Sequence, residues 1–90
     1  MSDEKTKMVK IVNDLGLHLR AAGVLVQVAS NYDAEIWLEY NGHRANAKSI
    51  MSVLSLAAPC GTELEIRASG PNAEHAVNAL IQLVQAGFNL

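Results

Sequence analysis

A glycine, a histidine and an arginine stand close together in the stretch Gly16-Leu17-His18-Leu19-Arg20-Ala21-Ala22. Behind them, Ala22, Leu25, Val26 and Ala29 recur at the i, i+3, i+4, i+7 spacing of one helix face. His18 therefore falls at the mouth of a helix. The first N–H groups of a helix lack partners within it, and the macrodipole adds roughly half a positive charge at that end. Such a mouth receives anions. An imidazole in water at pH 7 is largely neutral and nucleophilic. Arg20 adds a permanent cation whose planar fork of donors suits phosphate oxygens. The chemistry these groups share is a phosphoryl group carried on a histidine nitrogen. Gly-x-His-x-Arg alone is a short pattern that a capping or surface histidine also satisfies, so the surrounding elements must carry the weight.

A chain of 90 residues makes one small domain with a modest single core, taken here as residues 1–90. Seven Lys and Arg against nine Asp and Glu leave a net charge of −2, with no basic cluster of the kind nucleic acid requires. The lone cysteine, Cys60, has no internal disulfide partner, which suits a reducing compartment. The polar start Met1-Ser2-Asp3-Glu4-Lys5 leads into no long apolar block, and no run approaches a membrane span. The expectation is a soluble cytoplasmic monomer.

The β-branched enrichment of Lys7–Val12 predicts a strand, broken by the turn formers Asn13-Asp14-Leu15-Gly16. His18 opens a helix that runs to about Asn31. Gly23 lies inside it at a cost of about 1 kcal/mol, which a close packing partner or an interface would explain. The segment Ala34–Tyr40 alternates as a second strand, with Ile36, Leu38 and Tyr40 on one face and Glu35, Trp37 and Glu39 on the other. Asn41-Gly42 predicts a type I′ hairpin turn into a short third strand, His43–Ala47.

Ser49 is placed to cap a short helix within Lys48–Leu56, a role worth about 1 kcal/mol. Ile50, Met51, Val53, Leu54 and Leu56 are apolar nearly all round that helix. Two turns cannot bury them all against one sheet. Ile50, Met51 and Leu54 are expected at the surface as a partner-binding patch. Thr62–Ala68 alternates most cleanly, so one sheet face is wet, as in an antiparallel sheet with helices on a single side. Asn72 follows a turn as the N-cap of a last helix whose buried stripe is Ala76, Val77, Leu80, Ile81 and Val84, with Gly87 as its stop. The order is βαββαβα: an α+β fold of two layers, an antiparallel sheet with one face bare. His43 and His75 are expected to be solvated, Trp37 to shelter Arg or Lys stems or mark a weak contact on the wet face, and Cys60 to be an ordinary loop thiol.

With those elements in place, the chain resembles the HPr family, the histidine-containing phosphocarriers of the bacterial phosphoenolpyruvate:sugar phosphotransferase system. The resemblance covers nearly the whole length. It rests chiefly on Gly16–Ala22 and Lys48-Ser49-Ile50-Met51, with support from Tyr32-Asp33-Ala34, Leu38–Gly42 and Ala68-Ser69-Gly70. It implies an open-faced β-sandwich, a four-stranded antiparallel sheet with three helices on one face. It implies phosphorylation of His18 on Nδ1 by the phosphohistidine of Enzyme I and onward transfer to a histidine of a IIA domain. Arg20 and the backbone N–H groups of Leu19 and Arg20 would hold the phosphoryl group. Ser49 would be the regulatory position that an HPr kinase/phosphorylase modifies where one exists. Leu19, Ile50, Met51 and Leu54 would form the docking surface. Such a carrier needs no cofactor or metal and is not an enzyme acting alone.

Two positions depart from the family pattern: Leu19 stands where alanine is usual and Ala21 where proline is usual. Proline at a helix start presets φ and gives up an unpartnered donor. Ala21 restores that donor and leaves the start less rigid. Leu19 enlarges the apolar rim beside His18. Neither change removes the histidine or the arginine. A different class of function is a regulatory binding module, nitrogen-related or phosphorylated at Ser49, in which His18 is idle. A metal or small-ligand domain is weaker, because the three histidines and one cysteine lack ligand spacing.

Overall fold

A computed structural model describes residues 4–90. Met1-Ser2-Asp3, the first residues of the polar start, lie outside the described residues. The elements run β1 (Lys5–Lys10), α1 (Leu19–Ala29), β2 (Glu35–Tyr40), β3 (His43–Asn46), α2 (Ile50–Leu54), β4 (Glu63–Ser69) and α3 (Ala73–Gln85), closed by a 3-10 turn, Gly87–Asn89. The order is the expected βαββαβα. The strands form one antiparallel sheet in the order β1-β4-β2-β3, and the helices cover one face of it.

The alternation read from the sequence sets the two faces. Ile36 and Leu38 of β2, Leu64, Ile66 and Ala68 of β4 and Val9 of β1 join Ala22 and Leu25 of α1 and Ala76, Val77, Leu80 and Val84 of α3 in one core. The opposite face is open. There Glu39 lies across from Glu65, a like-charged pair relieved on each side by an arginine, Arg44 at 3.3 Å from Glu39 and Arg67 at 2.9 Å from Glu65. Arg44 also lies 5.7 Å from the centroid of the Trp37 ring, the shelter expected of that tryptophan.

β1 begins and ends two residues earlier than expected. Its pairing with β4 sets Lys5 opposite Ala68 and Lys7 opposite Ile66, so both lysines belong to the helix-covered side. Lys7 Nζ donates to Asn78 Oδ1 of α3 at 2.9 Å. Inward-directed charge on an edge strand opposes the addition of a further strand.

The hairpin turn has positive φ at both central residues, Asn41 (53°) and Gly42 (82°), as a type I′ turn requires. α1 stops at Ala29, two residues short of the expected end. Asn72 corrects a capping expectation. It occupies the N-cap of α3 but lies in the left-handed region at φ 62°, and its side chain makes no capping bond. Capping side chains reach back from extended backbone, as those of His18 and Ser49 do. In the final helix Leu83 joins the buried stripe, while Ile81 is only partly covered. Gly87 (φ 63°) ends the helix as expected. Phe88 follows, also at positive φ (60°), and is 1% exposed in the core.

Candidate functional site

The turn before α1 is built around Gly16. Its N–H donates to the Asn13 carbonyl at 3.0 Å, and Asn13 Nδ2 donates back to the Gly16 carbonyl at 2.8 Å. Gly16 has φ +65°, and a Cβ there would stand 2.5 Å from the Ala58 carbonyl oxygen. Glycine is required on both counts. The close approach lets the Leu17 N–H donate to that same carbonyl at 2.9 Å and sends the Leu17 side chain into the core. On the other side, Ala21 and Ala22 are fully buried. His18 is thus held between two anchors, with the α2–β4 loop as its support.

His18 is the N-cap of α1, with extended backbone (φ −78°, ψ −179°). Its carbonyl accepts the first helical bond, from Ala22 N–H at 2.8 Å. Its Nδ1 accepts from the Arg20 N–H at 3.2 Å, so the imidazole performs the bond usually made by a serine or aspartate cap. A ring nitrogen that accepts carries no proton, which assigns the proton of the neutral ring to Nε2. The free lone pair of the ring therefore belongs to Nδ1, directed at the positive end of the helix.

The imidazole is half-buried, whereas a group that is handed on to a partner leads one to expect it exposed. It lies between two shallow depressions that share Leu15. One, of about 320 Å³, also has Leu17, Leu54 and Pro59 in its lining. The other, of about 470 Å³, is lined by Leu15, His18, Leu19, Arg20 and Leu90. Arg20 is exposed and lines the same cleft as His18. Among the described residues its guanidinium enters neither of the ion pairs nor any side-chain hydrogen bond. The N–H of Ala21 precedes the helical ladder and finds no backbone acceptor among the described residues. Replacement of the usual proline therefore adds an N–H to the first turn of α1.

Leu19 is 63% exposed and Met51 73% exposed, as expected of a partner-binding surface, and Ile50 also lies outside the core. α1 packs against α2, which brings this patch to the side of the molecule that carries His18. Leu54 is less exposed than Met51 and lines the depression beside His18. It is half-buried against the core because the short helix turns it toward the His18 loop, leaving Ile50 and Met51 as the outward pair. Ser49 caps α2 as expected, its Oγ accepting from the Ser52 N–H at 3.3 Å. The residue missed by sequence reasoning is Leu15. It is 76% exposed beside the imidazole, and its signal was a large apolar side chain inside an otherwise polar turn. Gly23 has no close packing partner: a Cβ there would meet nothing within 4 Å. Among the described residues no cluster of His, Cys, Asp or Glu could hold a metal ion.

A family model described as "PTS HPr component phosphorylation site" matches residues 5–86. The phosphocarrier protein HPr of Treponema pallidum is 44% identical over 82 residues, 91% of this chain and 93% of that protein. A crystal structure of HPr from Thermoanaerobacter tengcongensis superposes with a TM-score of 0.91 at 37% identity, covering 96% of this chain and 97% of that one. The crystal structure of an HPr dimer from the same organism gives a TM-score of 0.75 at 39% identity over 89% and 92% of the two chains.

Proposed function

The chain belongs to the HPr family, the phosphocarriers of the phosphotransferase system, and on that premise we propose that His18 is its phosphoryl-carrying residue. The family consists of carriers rather than enzymes. In this proposal Enzyme I, charged from phosphoenolpyruvate, donates to Nδ1 of His18, and a histidine of a IIA domain receives the group. The observation that carries the proposal is the hydrogen bond from the Arg20 N–H to Nδ1, which aims the unprotonated nitrogen into an anion-receiving helix mouth.

The step balances as an in-line exchange of one N–P bond for another. The Nδ1 lone pair attacks phosphorus, and the donor, itself a phosphoimidazolium, leaves as a neutral imidazole with the electron pair of the broken bond. The proton on Nε2 remains, so the product begins as a phosphoimidazolium whose positive charge keeps the new N–P bond labile for onward transfer. Protein catalysis of such steps is mostly positioning and charge stabilisation. When phosphorus arrives, the Arg20 N–H turns from the ring nitrogen to a phosphoryl oxygen. The N–H groups of Leu19 and Ala21 and the guanidinium of Arg20 supply the remaining donors. The stabilisation is moderate, as a group that must leave again requires.

Ser49 is proposed as the position an HPr kinase/phosphorylase modifies where that enzyme exists. A phosphate there carries a charge of about −1.5 to −2, adjoining the exposed Ile50 and Met51. The chain is proposed to act as one HPr-like domain and as a monomer in the cytoplasm. Sedimentation equilibrium checks the monomer against the dimer known for a relative. Among the described residues no helix is long and apolar enough to cross a membrane.

Incubation with Enzyme I and phosphoenolpyruvate tests the assignment. One acid-labile phosphoryl group per chain is expected, absent in His18→Ala and formed more slowly in a still-folded Arg20→Ala. No adduct on His18, with Ser49 still open to modification, would instead favour a regulatory binding module.

A further inference from the structure

The carrier reading leaves Leu15 without a role, although it is the most exposed of the large apolar side chains among the described residues, at 76%. It is also the one residue besides His18 that lines both depressions flanking the imidazole. It precedes Gly16 in a turn held by two hydrogen bonds between Asn13 and Gly16, so its backbone is fixed while its side chain makes no place for itself in the core. A leucine held out in water beside a reactive group gains nothing for the fold.

Charge around the site is sparse. α1 carries no acidic residue in its first turn and no basic residue in its last, and Arg20 is its single charged side chain. α2 has no charged residue at all. Lys48, just before it, is tied by its Nζ to the Tyr32 carbonyl. Apart from Arg20, the side chains that share its two depressions are apolar, Leu15, Leu17, Leu19, Leu54 and Leu90 among them. Complementarity to such a collar belongs to a partner whose own reacting histidine sits in an apolar, weakly charged face.

Resting on the carrier reading, we propose that Leu15 is a specificity-determining residue for phosphoryl exchange. It inserts into an apolar recess beside the partner's histidine, so that the partner recognises this carrier by apolar contact rather than by charge. Closing the collar also sheds water from the reacting atoms.

The experiment uses an Enzyme I that phosphorylates the unchanged chain and measures steady-state transfer from phosphoenolpyruvate. Leu15→Asn, close in size and compatible with a turn, should raise KM for the carrier about tenfold, the cost of losing one buried aliphatic side chain, with kcat within about twofold. Leu15→Met should restore the KM of the unchanged chain. Raising the salt from about 50 to about 500 mM, which collapses the Debye length, should change the KM of the unchanged chain less than about threefold. An unchanged KM in Leu15→Asn overturns the proposal, as does a fall in kcat at constant KM, or a KM that climbs tenfold with salt. If no Enzyme I phosphorylates the unchanged chain on His18, the carrier reading itself falls and takes this proposal with it. That outcome is distinguishable because it does not depend on Leu15.

Discussion

Replacing Gly16 by alanine tests whether the histidine is positioned by the turn before it. A new Cβ would stand 2.5 Å from the Ala58 carbonyl oxygen, 2.9 Å from Pro59 Cα and 3.0 Å from Cys60 N. All three are backbone atoms, which cannot swing aside as a flexible side chain would. The residue must also remain at φ +65°, where an L-residue costs about 1–2 kcal/mol. Moving the Ala58 carbonyl away sacrifices the bond it accepts from Leu17, about 1 kcal/mol. Forcing a methyl into a filled space adds about 1–3 kcal/mol. The stiffer unfolded chain returns about 0.4–1 kcal/mol. The net loss is about 2–6 kcal/mol, which lowers the melting temperature of a domain of this size by about 10–45 °C. Urea unfolding followed by far-UV circular dichroism measures it. The still-folded variant should also accept phosphoryl groups more slowly, because Leu17 no longer anchors the residue before His18. A loss below about 1 kcal/mol would refute the requirement for glycine, and normal transfer in a destabilised variant would refute the positioning role.

The same substitution at Gly23 should have the opposite sign. Nothing lies within 4 Å of the new methyl, and alanine in a helix interior is favoured by about 1 kcal/mol, so thermal melting should show a gain of a few degrees. Ala57 holds φ +51° after α2. Ala57→Gly should relieve the left-handed strain for a net gain of about 0.5–1 kcal/mol in denaturant titration. Ser49→Ala should cost about 1 kcal/mol through the lost bond to the Ser52 N–H. Ser49→Asp should keep the cap and the stability while its charge beside Met51 slows transfer from Enzyme I, as a phosphoryl-transfer assay would read.

Much of this protein is written locally. The period-2 pattern of residues 62–68, the Asn41-Gly42 turn, the Ser49 cap and the Gly87 stop each depend on residues a few positions apart, so each is legible without the fold. The coincidence of His18 and Arg20 with a helix start is of the same kind: the apolar period of Ala22, Leu25 and Ala29 locates the helix, and the helix locates its own positive end.

What depended on tertiary structure involved residues far apart in sequence. The contact of Gly16 with Ala58 joins positions that no short window contains, and it explains why the motif begins with glycine. Leu54 is half-buried, and Leu15 stays out, in one depression formed where α2 and its following loop meet the turn. Phe88 enters the core through consecutive left-handed residues that no periodicity announces. The same is true of Asn72, whose left-handed backbone removes the capping bond its residue type promised. The amino-acid order alone thus determined the elements and set His18 and Arg20 at a helix start, since both follow from short-range sterics and hydrogen bonding. Which apolar side chains surround His18 was decided by burial, a property of the assembled chain.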